Sequence, residues 1–202
     1  MLKKRGRITT ENQLNSLNQL KLLCNSNIFM KKYPTEPWLS PKVEIRNSLI
    51  QGKGSFAKEK INKGETVFIW GAHFINKKEA EAEKAKGRLI MQFDEDLFTA
   101  ETRGDDPTYY MNHSCGPNVW MKDAVTLIAR KGIAKGEELT GDYAMWDYDE
   151  EKIKQWECKC GTKYCRHKLT GKDWRLTELQ KRYKGHFSPL INKRIMALKK
   201  TD

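Results

Sequence analysis

The densest group of potential metal ligands is the run CKCGTKYC at residues 158–165. Its three cysteines follow a C-x-C-x4-C spacing, and three thiolates this close together suit a soft tetrahedral ion, zinc above all. A closed structural site needs a fourth ligand. By residue type, the candidates are Cys115, His167, His113 and Cys24. The alternative interpretation is three reduced cysteines in a loop without an ion.

A second concentration of chemistry is YYMNHSCGPNVW at residues 109–120. Two tyrosines, two amides, an imidazole, a hydroxyl and a thiol share twelve positions there, whereas a loop or a strand can be built from far simpler residues. If Cys115 is the fourth ligand, the metal ties the C-terminal segment onto this stretch.

The elements that must position these residues begin with an N-terminal helix. Thr10 and Gln13 fit a capping box, and leucines at helical spacing predict a helix over residues 9–24. Three prolines in residues 33–41 then indicate an extended linker.

The middle of the chain is predicted to be mainly β. Short runs rich in β-branched and aromatic residues alternate with turn residues from residue 43 to residue 130. Gly64 and Gly136 occupy equivalent places in two Lys-Gly-Glu turns. The one exception is residues 77–90, which read as an exposed, charged helical insert.

The tail returns to helix. Asp173 is predicted to cap a helix over residues 174–183 that Gly185 ends, and Ser188 with Pro189 to start another over residues 190–200. The predicted fold class is therefore mainly β with helical ends (α+β).

Four motifs together resemble the SET-domain protein-lysine methyltransferases. The full match to N-H-S-C-x-P-N and the nearby E-L-T-x-D-Y pattern are the most specific, and a lone G-x-G would be weak. In the order of that family, the motifs are GKGSFA (52–57), NHSCGPN (112–118), GEELTGDY (136–143) and CKCGTKYC (158–165). The resemblance covers about residues 43–167.

The resemblance implies a SET-type fold of several small β-sheets, in which a threaded C-terminal segment brings Asn112 and Tyr143 into one site. It divides the chain into four parts. These are a basic N-terminal extension (1–40), a SET catalytic domain (41–148), a post-SET zinc segment (149–170) and a basic helical tail (171–202).

The activity implied by the resemblance is transfer of a methyl group from S-adenosylmethionine to the side-chain amine of a lysine in a protein substrate, a histone or another basic protein. Tyr143 is the expected catalytic residue. The expected cofactor-binding residues are Lys53, Gly54, Ser55, Asn112, His113, Tyr143 and Trp156, although Trp156 could instead be core. The expected Zn²⁺ ligands are Cys115, Cys158, Cys160 and Cys165. The expected walls of the lysine channel are Tyr109, Tyr110, Gly141, Trp146 and Tyr148.

One residue departs from the family pattern. The position before Asp142 is usually aromatic in that family and helps to set the number of methyl groups added, and here it is Gly141. Its small size predicts either an open pocket or filling by Tyr110 or Trp146, and hence multiple methylation.

The positive charge is concentrated at the two ends. Of a net charge of +12, residues 1–40 hold 7 Lys and Arg against 2 Asp and Glu, and residues 171–202 hold 9 against 3. Such arms could make weak, non-specific contacts with nucleic acid or with acidic proteins, or could simply be solvated helix faces.

No apolar run is long enough for a bilayer, and the basic N-terminus lacks an apolar segment after it. The chain is therefore expected to be intracellular, in the cytoplasm or nucleus, and not secreted; its oligomeric state is not predicted.

Two rival functions follow from the same features. One is a catalytically idle SET-like module that binds chromatin or a protein partner through its basic arms, although retention of Asn112, His113 and Tyr143 argues against idleness. The other is a small zinc-containing nucleic-acid-binding protein, for which the cysteine spacing gives no finger pattern.

Overall fold

The computed structural model describes residues 33–101, 106–147 and 156–200. The fold below is that of the unit beginning at Pro34. The helix predicted over residues 9–24, with Cys24, and the channel residue Tyr148 lie outside the described residues.

Short β-strands dominate the described residues. In chain order they are β1 Trp38–Leu39, β2 Val43–Asn47, β3 Lys53–Ala57, β4 Thr66–Ile69, β5 Leu89–Asp94, β6 Leu97–Glu101, β7 Asn112–His113, β8 Val119–Met121, β9 Thr126–Ala129, β10 Glu138–Gly141, β11 Trp156–Glu157 and β12 Lys168–Leu169. The α-helices are α1 Lys77–Ala85, α2 Thr177–Arg182 and α3 Pro189–Leu198. Single 3-10 turns cover Pro107–Tyr109, Tyr143–Met145 and Asp173–Arg175.

The strands form four small sheets. One has the order β1-β4-β9-β8, another has the order β2-β3-β10-β7, and β5-β6 and β11-β12 are two-stranded. Phe68 and Leu127, paired between β4 and β9, are completely buried in the core. Trp38 and Leu39 of β1 pair with β4, so part of the predicted linker is a strand.

Strand β10 connects distant parts of the chain. It pairs antiparallel with β3 and parallel with β7, where Thr140 lies opposite Asn112 and Gly141 opposite His113. The Asn118 side chain reinforces this pairing: its Oδ1 accepts from the amide of Thr140 at 2.8 Å, and its Nδ2 donates to the carbonyl of Glu138 at 2.8 Å. The polar stretch is thereby fixed beside the end of β10.

Helix α1 is shorter than predicted. Asn76 and Glu79 form a capping box at its start, and the predicted helix over 77–90 ends early because Gly87 adopts a left-handed φ of 81°. Ile90 lies in β5 instead. Ala80 is buried in an apolar cluster with Ile75, so one face of the insert packs on the fold.

The C-terminal elements follow the predicted order with one correction. Asp173 does not cap a helix: it begins a 3-10 turn, and α2 starts only at Thr177, because the Asp173 carboxylate accepts hydrogen bonds from Thr170 and pairs with Arg166. The predicted cap at Ser188 is confirmed, since its side chain accepts from the amide of Ile191. Gly185 adopts the left-handed conformation at φ 81°.

The turn glycines behave as predicted. Gly64 and Gly136 have φ of 86° and 82°, a region that L side chains rarely adopt.

None of the described helices has the length and apolar character to cross a membrane.

Candidate active site

Four cysteines from two distant segments converge at one point. Cys115 follows β7, and Cys158, Cys160 and Cys165 come from the segment between residues 158 and 165; their sulfurs all lie within 4.8 Å of one another. The Sγ atoms of Cys115 and Cys158 are 3.8 Å apart. A zinc–sulfur bond of about 2.3 Å gives a tetrahedral S–S edge of about 3.8 Å. The donor set and its spacing therefore fit a tetrahedral zinc ion.

Burial disfavours the thiolate form of two of these cysteines, Cys115 and Cys158. It raises the pKa of Cys115 and raises that of Cys158 to about 11, so both are neutral thiols at neutral pH unless a cation offsets the charge. The backbone amide of Arg166 donates to Cys115 Sγ at 3.3 Å, which suits a thiolate at that position.

The other candidates for the fourth ligand are placed differently. His167 is exposed, with Nδ1 3.9 Å from Cys165 Sγ, and the His113 Nε2 atom lies 3.3 Å from Cys115 Sγ while its other nitrogen faces Tyr143. Among the described residues, the four cysteines are the group that meets as ligands.

Tyr143 lies directly against the asparagine–histidine stretch. Its hydroxyl donates to the carbonyl of Met111 at 3.1 Å, and its amide donates to His113 Nδ1 at 3.3 Å. Burial raises the pKa of Tyr143 to about 12, with Asp147 adding to the shift. At neutral pH, Tyr143 is therefore a neutral phenol that can donate or accept a hydrogen bond but cannot act as a phenolate base.

His113 is a neutral imidazole in this site. Burial lowers its pKa to about 4, although the Asp142 carboxylate is 3.8 Å away and opposes the shift. A neutral ring explains how Nδ1 can accept from the Tyr143 amide, because a protonated imidazole has no acceptor. The two rings meet edge to face with centroids 5.1 Å apart.

Asn112 is held by oxygen atoms from β10 and from the start of β3 with the residues just before it. Its Nδ2 donates to the carbonyls of Gln51 and Lys53 at 3.2 Å and to Glu138 Oε1 at 2.8 Å. Sequence reasoning missed Glu138, whose position inside the GEEL motif was the available signal. A Cβ on Gly54 would collide with the Glu138 carboxylate, so glycine there admits the carboxylate beside Asn112.

Ser55 has a structural contact. It is fully buried, and its hydroxyl donates to the carbonyl of Tyr110 at 2.9 Å. Any contact of residues 53–55 with a cofactor therefore has to come from the backbone or from Lys53, whose ammonium lies 5.3 Å from the centre of the Tyr110 ring.

An aromatic-walled cavity of about 750 Å³ opens beside Tyr143. This volume lies within the range of small-molecule sites. Its wall near Tyr143 consists of Tyr109, Met111, Trp146 and Trp156. Of the predicted channel residues, Tyr109 and Trp146 line this cavity, and Tyr110 is not among the residues that do.

Trp146 fills the space that Gly141 leaves. A Cβ on Gly141 would collide with the Trp146 indole and come within 3.3 Å of Met111 Cε. The indole contacts Tyr143 with ring centroids 5.9 Å apart. Of the two residues suggested from the sequence, Trp146 rather than Tyr110 occupies the vacated position.

Trp156 stands at the edge of the cavity. Its ring is 6.0 Å from that of Tyr143, and 40% of its surface is exposed. Such exposure fits a ring that covers a ligand better than it fits a core residue.

A buried ionic network lies behind Tyr143. The Arg166 guanidinium donates two hydrogen bonds to Asp142, at 2.7 and 2.8 Å, and one to Asp173 at 2.8 Å. The Tyr183 hydroxyl also donates to Asp142, at 3.0 Å. Asp142 Oδ1 also accepts from the amide of Ala144. Sequence reasoning missed the pairs of Asp142 with Arg166 and Tyr183.

Comparisons with known proteins point to one family. Residues 52–144 match the family model described as SET domain. The chain is 29% identical over 160 residues to Histone-lysine N-methyltransferase ASHH3 of Arabidopsis thaliana, covering 72% of this chain and 41% of that protein. It is 30% identical over 140 residues to Histone-lysine N-methyltransferase trithorax of Drosophila virilis, covering 63% of this chain and 4% of that protein. The chain thus spans less than half the length of these relatives.

The fold agrees with a solved structure. The crystal structure of KRYPTONITE in complex with mCHG DNA and SAH aligns with a TM-score of 0.51 and 24% identity, covering 64% of this chain and 29% of that one. The predicted SET-type fold, mainly β and built of small sheets, is confirmed. The matched residues include the Asn112 stretch, β10 and Tyr143, which meet in space as described above. Residues 52–144 of this chain are therefore similar to SET domains in sequence, and the chain shares their fold.

Proposed function

We propose that this chain transfers a methyl group from S-adenosylmethionine to the side-chain amine of a lysine in a protein. The observation that carries the proposal is the meeting of Tyr143 with the Asn112–His113 stretch beside an aromatic-walled cavity. The similarity to histone-lysine methyltransferases supports it.

The residues around Asn112 fit the cofactor. S-adenosylmethionine supplies a methyl group on a positively charged sulfur, and the methyl carbon bonds to the lysine nitrogen as its bond to sulfur breaks. The carbonyls of Gln51 and Lys53 and the Glu138 carboxylate put negative charge around the Asn112 amide. Such oxygens suit the ammonium group of the cofactor's amino-acid end. Trp156, exposed at the cavity edge, is suited to cover a planar ring.

The lysine amine has to lose its proton before it reacts. An ordinary lysine with a pKa near 10.4 is neutral about once in a thousand molecules near pH 7.4, which corresponds to about 4 kcal/mol. The positively charged sulfur of the bound cofactor disfavours a charged ammonium beside it, so it reduces this cost. The proton leaves to water, because Tyr143 is already protonated and cannot accept it at neutral pH.

Tyr143 then aligns the amine. As a neutral phenol fixed by its backbone to His113, it presents a stationary oxygen to the reacting groups, and alignment of this kind is the main contribution expected from the chain. Faces of Trp146 and Tyr109 line the same cavity and suit a cationic or methylated ammonium.

We propose that the four cysteines hold a structural Zn²⁺ and form a post-SET segment. Four protein ligands leave no open position on a tetrahedral ion, so the ion has no part in the chemical step. Its contribution is to bring residues 156–169 to the rim of the cavity, where Trp156 lies.

The proposed substrate is a histone or another basic protein, because the relatives are named as histone-lysine methyltransferases.

A weak contact with nucleic acid is also proposed, because the C-terminal part of the chain exposes Lys168, Lys172, Arg175, Lys181 and Lys184. Replacing Lys181 and Lys184 by Gln should reduce the slope of log K against log salt by up to about 2 in DNA binding, measured by fluorescence anisotropy. An unchanged slope would remove this surface from the proposal.

The test of the activity compares the wild-type chain with Tyr143→Phe. Incubation with labelled S-adenosylmethionine and a whole-cell extract, followed by mass spectrometry, should identify a methylated lysine for the wild type, and Tyr143→Phe should lower turnover about 100-fold or more. Thermal unfolding with cofactor at about 100 times its Kd should show about 2.7 kcal/mol of added stability for both proteins. If the wild type shows no turnover and no stabilisation by the cofactor, the idle module is favoured.

A further inference from the structure

Arg166 connects the four-cysteine cluster to the turn that carries Tyr143. It follows Cys165 directly, and only 10% of its side chain is exposed. Its guanidinium forms a fork on Asp142 and a single bond to Asp173. Planar, two-point pairing of this kind orients both partners, and lysine cannot reproduce it.

On the catalytic side, Asp142 controls the turn of Tyr143. Its side chain is completely buried and caps the 3-10 turn Tyr143–Met145 by accepting from the amide of Ala144 at 3.1 Å. The same carboxylate takes both bonds of the Arg166 fork. The guanidinium therefore sets the direction of the first peptide units after β10.

On the cluster side, the backbone of Arg166 contacts the ligand that comes from the other segment. Its amide donates to Cys115 Sγ at 3.3 Å. Within residues 156–169, the strands are β11 and β12, which share two residue pairs. The position of Arg166 therefore depends on the cysteines being held together.

Tyr183 repeats this connection from the C-terminal segment. It is completely buried, and its hydroxyl is 3.3 Å from the carbonyl of Cys115 and 3.0 Å from Asp142 Oδ2. One buried hydroxyl thus contacts the loop of a cluster ligand and the carboxylate beside Tyr143.

We propose that Arg166 is a positioning residue that makes the orientation of Tyr143 depend on occupancy of the four-cysteine cluster, through Asp142. The inference rests on the proposed function and on the proposed zinc ion. It differs from a purely structural role in its expected outcome: a change at Arg166 that leaves the cluster filled should still disturb Tyr143.

The test uses Arg166→Lys in the full chain, with Arg175→Lys as the matched control. Arg175 is an exposed arginine in the 3-10 turn Asp173–Arg175. Three quantities are measured for each protein. They are the zinc content per chain, the kcat and KM for a peptide that carries the target lysine identified as above, and the ¹⁹F spectrum after incorporation of 3-fluorotyrosine. Tyr143→Phe assigns the Tyr143 signal among the seven tyrosines.

Arg166→Lys is expected to keep the wild-type zinc content and a peptide KM within about threefold, while kcat falls about 10- to 100-fold, the loss typical of misplaced reacting groups. Its Tyr143 fluorine signal should shift or broaden in the same way as that of wild-type protein stripped of zinc. Arg175→Lys should match the wild type in all three.

Two results would overturn the inference. One is an unchanged Tyr143 signal and kcat in Arg166→Lys with zinc bound. The other is a Tyr143 signal in the wild type that does not respond to zinc removal. If Arg166→Lys does not fold, Tyr183→Phe gives the milder test, with the same signal expected to move. The fluorine measurement needs no turnover, so failure of the proposed activity would be distinguished from failure of the coupling.

Discussion

The two halves of the site are held by different forces. On one side, Asn112 and His113 are fixed by backbone pairing between β7 and β10. On the other, residues 156–169 have two residue pairs of sheet and depend on thiols and on the Arg166 ion pairs. The first half should tolerate changes of ionic conditions, and the second should not. The stability of the second half is therefore expected to depend on the cysteine cluster.

The largest effect is expected from removal of the cluster. Cys115→Ser should lose the ion and, with it, more than about 100-fold of activity, because structural zinc supplies much of the free energy that orders such segments. Metal analysis and kinetics check this, with Cys24→Ser as the control that keeps the metal. Full activity in a metal-free Cys115→Ser protein would contradict the dependence of the second half on the ion.

Breaking the buried ion pair should have the next largest effect, on stability. Asp142→Asn leaves Arg166 with one carboxylate partner in a buried position, and loss of one member of such a pair typically costs about 3–5 kcal/mol. Urea unfolding measures this, with the exposed Glu178→Gln as the control. A change below about 1 kcal/mol would mean that the network contributes little to holding the two halves together.

The difference between the halves also explains what the sequence could predict. The convergence of Cys115 with the late cysteines and of Asn112 with Tyr143 followed from motifs, because strand pairing and metal ligation leave residues of fixed type and spacing. The sequence did not predict the contacts of Glu138, Arg166 and Tyr183. A pair such as Asp142 and Arg166, 24 residues apart, has no period or turn residue to announce it.

Two element boundaries were predicted wrongly, for different physical reasons. The helix predicted over 77–90 ends early because a left-handed Gly87 follows it, and charge composition alone does not set that boundary. Asp173 was predicted to cap a helix because acids commonly do, but its carboxylate is used by Arg166 and Thr170. The first boundary is set by a local backbone conformation, and the second by contacts of a side chain with other residues.

A smaller effect, on the product, is expected at Trp146. Its indole occupies the space beside Gly141, so Trp146→Ala enlarges the pocket around the amine and should raise the fraction of di- and trimethylated product. The multiple methylation predicted from Gly141 for the wild type stays a prediction. Mass spectrometry of a peptide after exhaustive reaction measures both proteins. Purely monomethylated product from Trp146→Ala would mean that the indole does not limit the methyl count.

The smallest predicted effect is that of Tyr143 on the shape of the pH profile. The raised pKa of Tyr143, about 12, keeps its phenol protonated well above neutral pH, whereas the lysine amine gains its reactive neutral form as the pH rises. The rate should therefore increase from pH 7 to about pH 9, following the amine, without a falling limb from Tyr143 in that range. Tyr143→Phe should lower the whole profile and keep its shape. A changed shape would mean that the tyrosine exchanges a proton during turnover, and so that the backbone-fixed half of the site does more than align the amine.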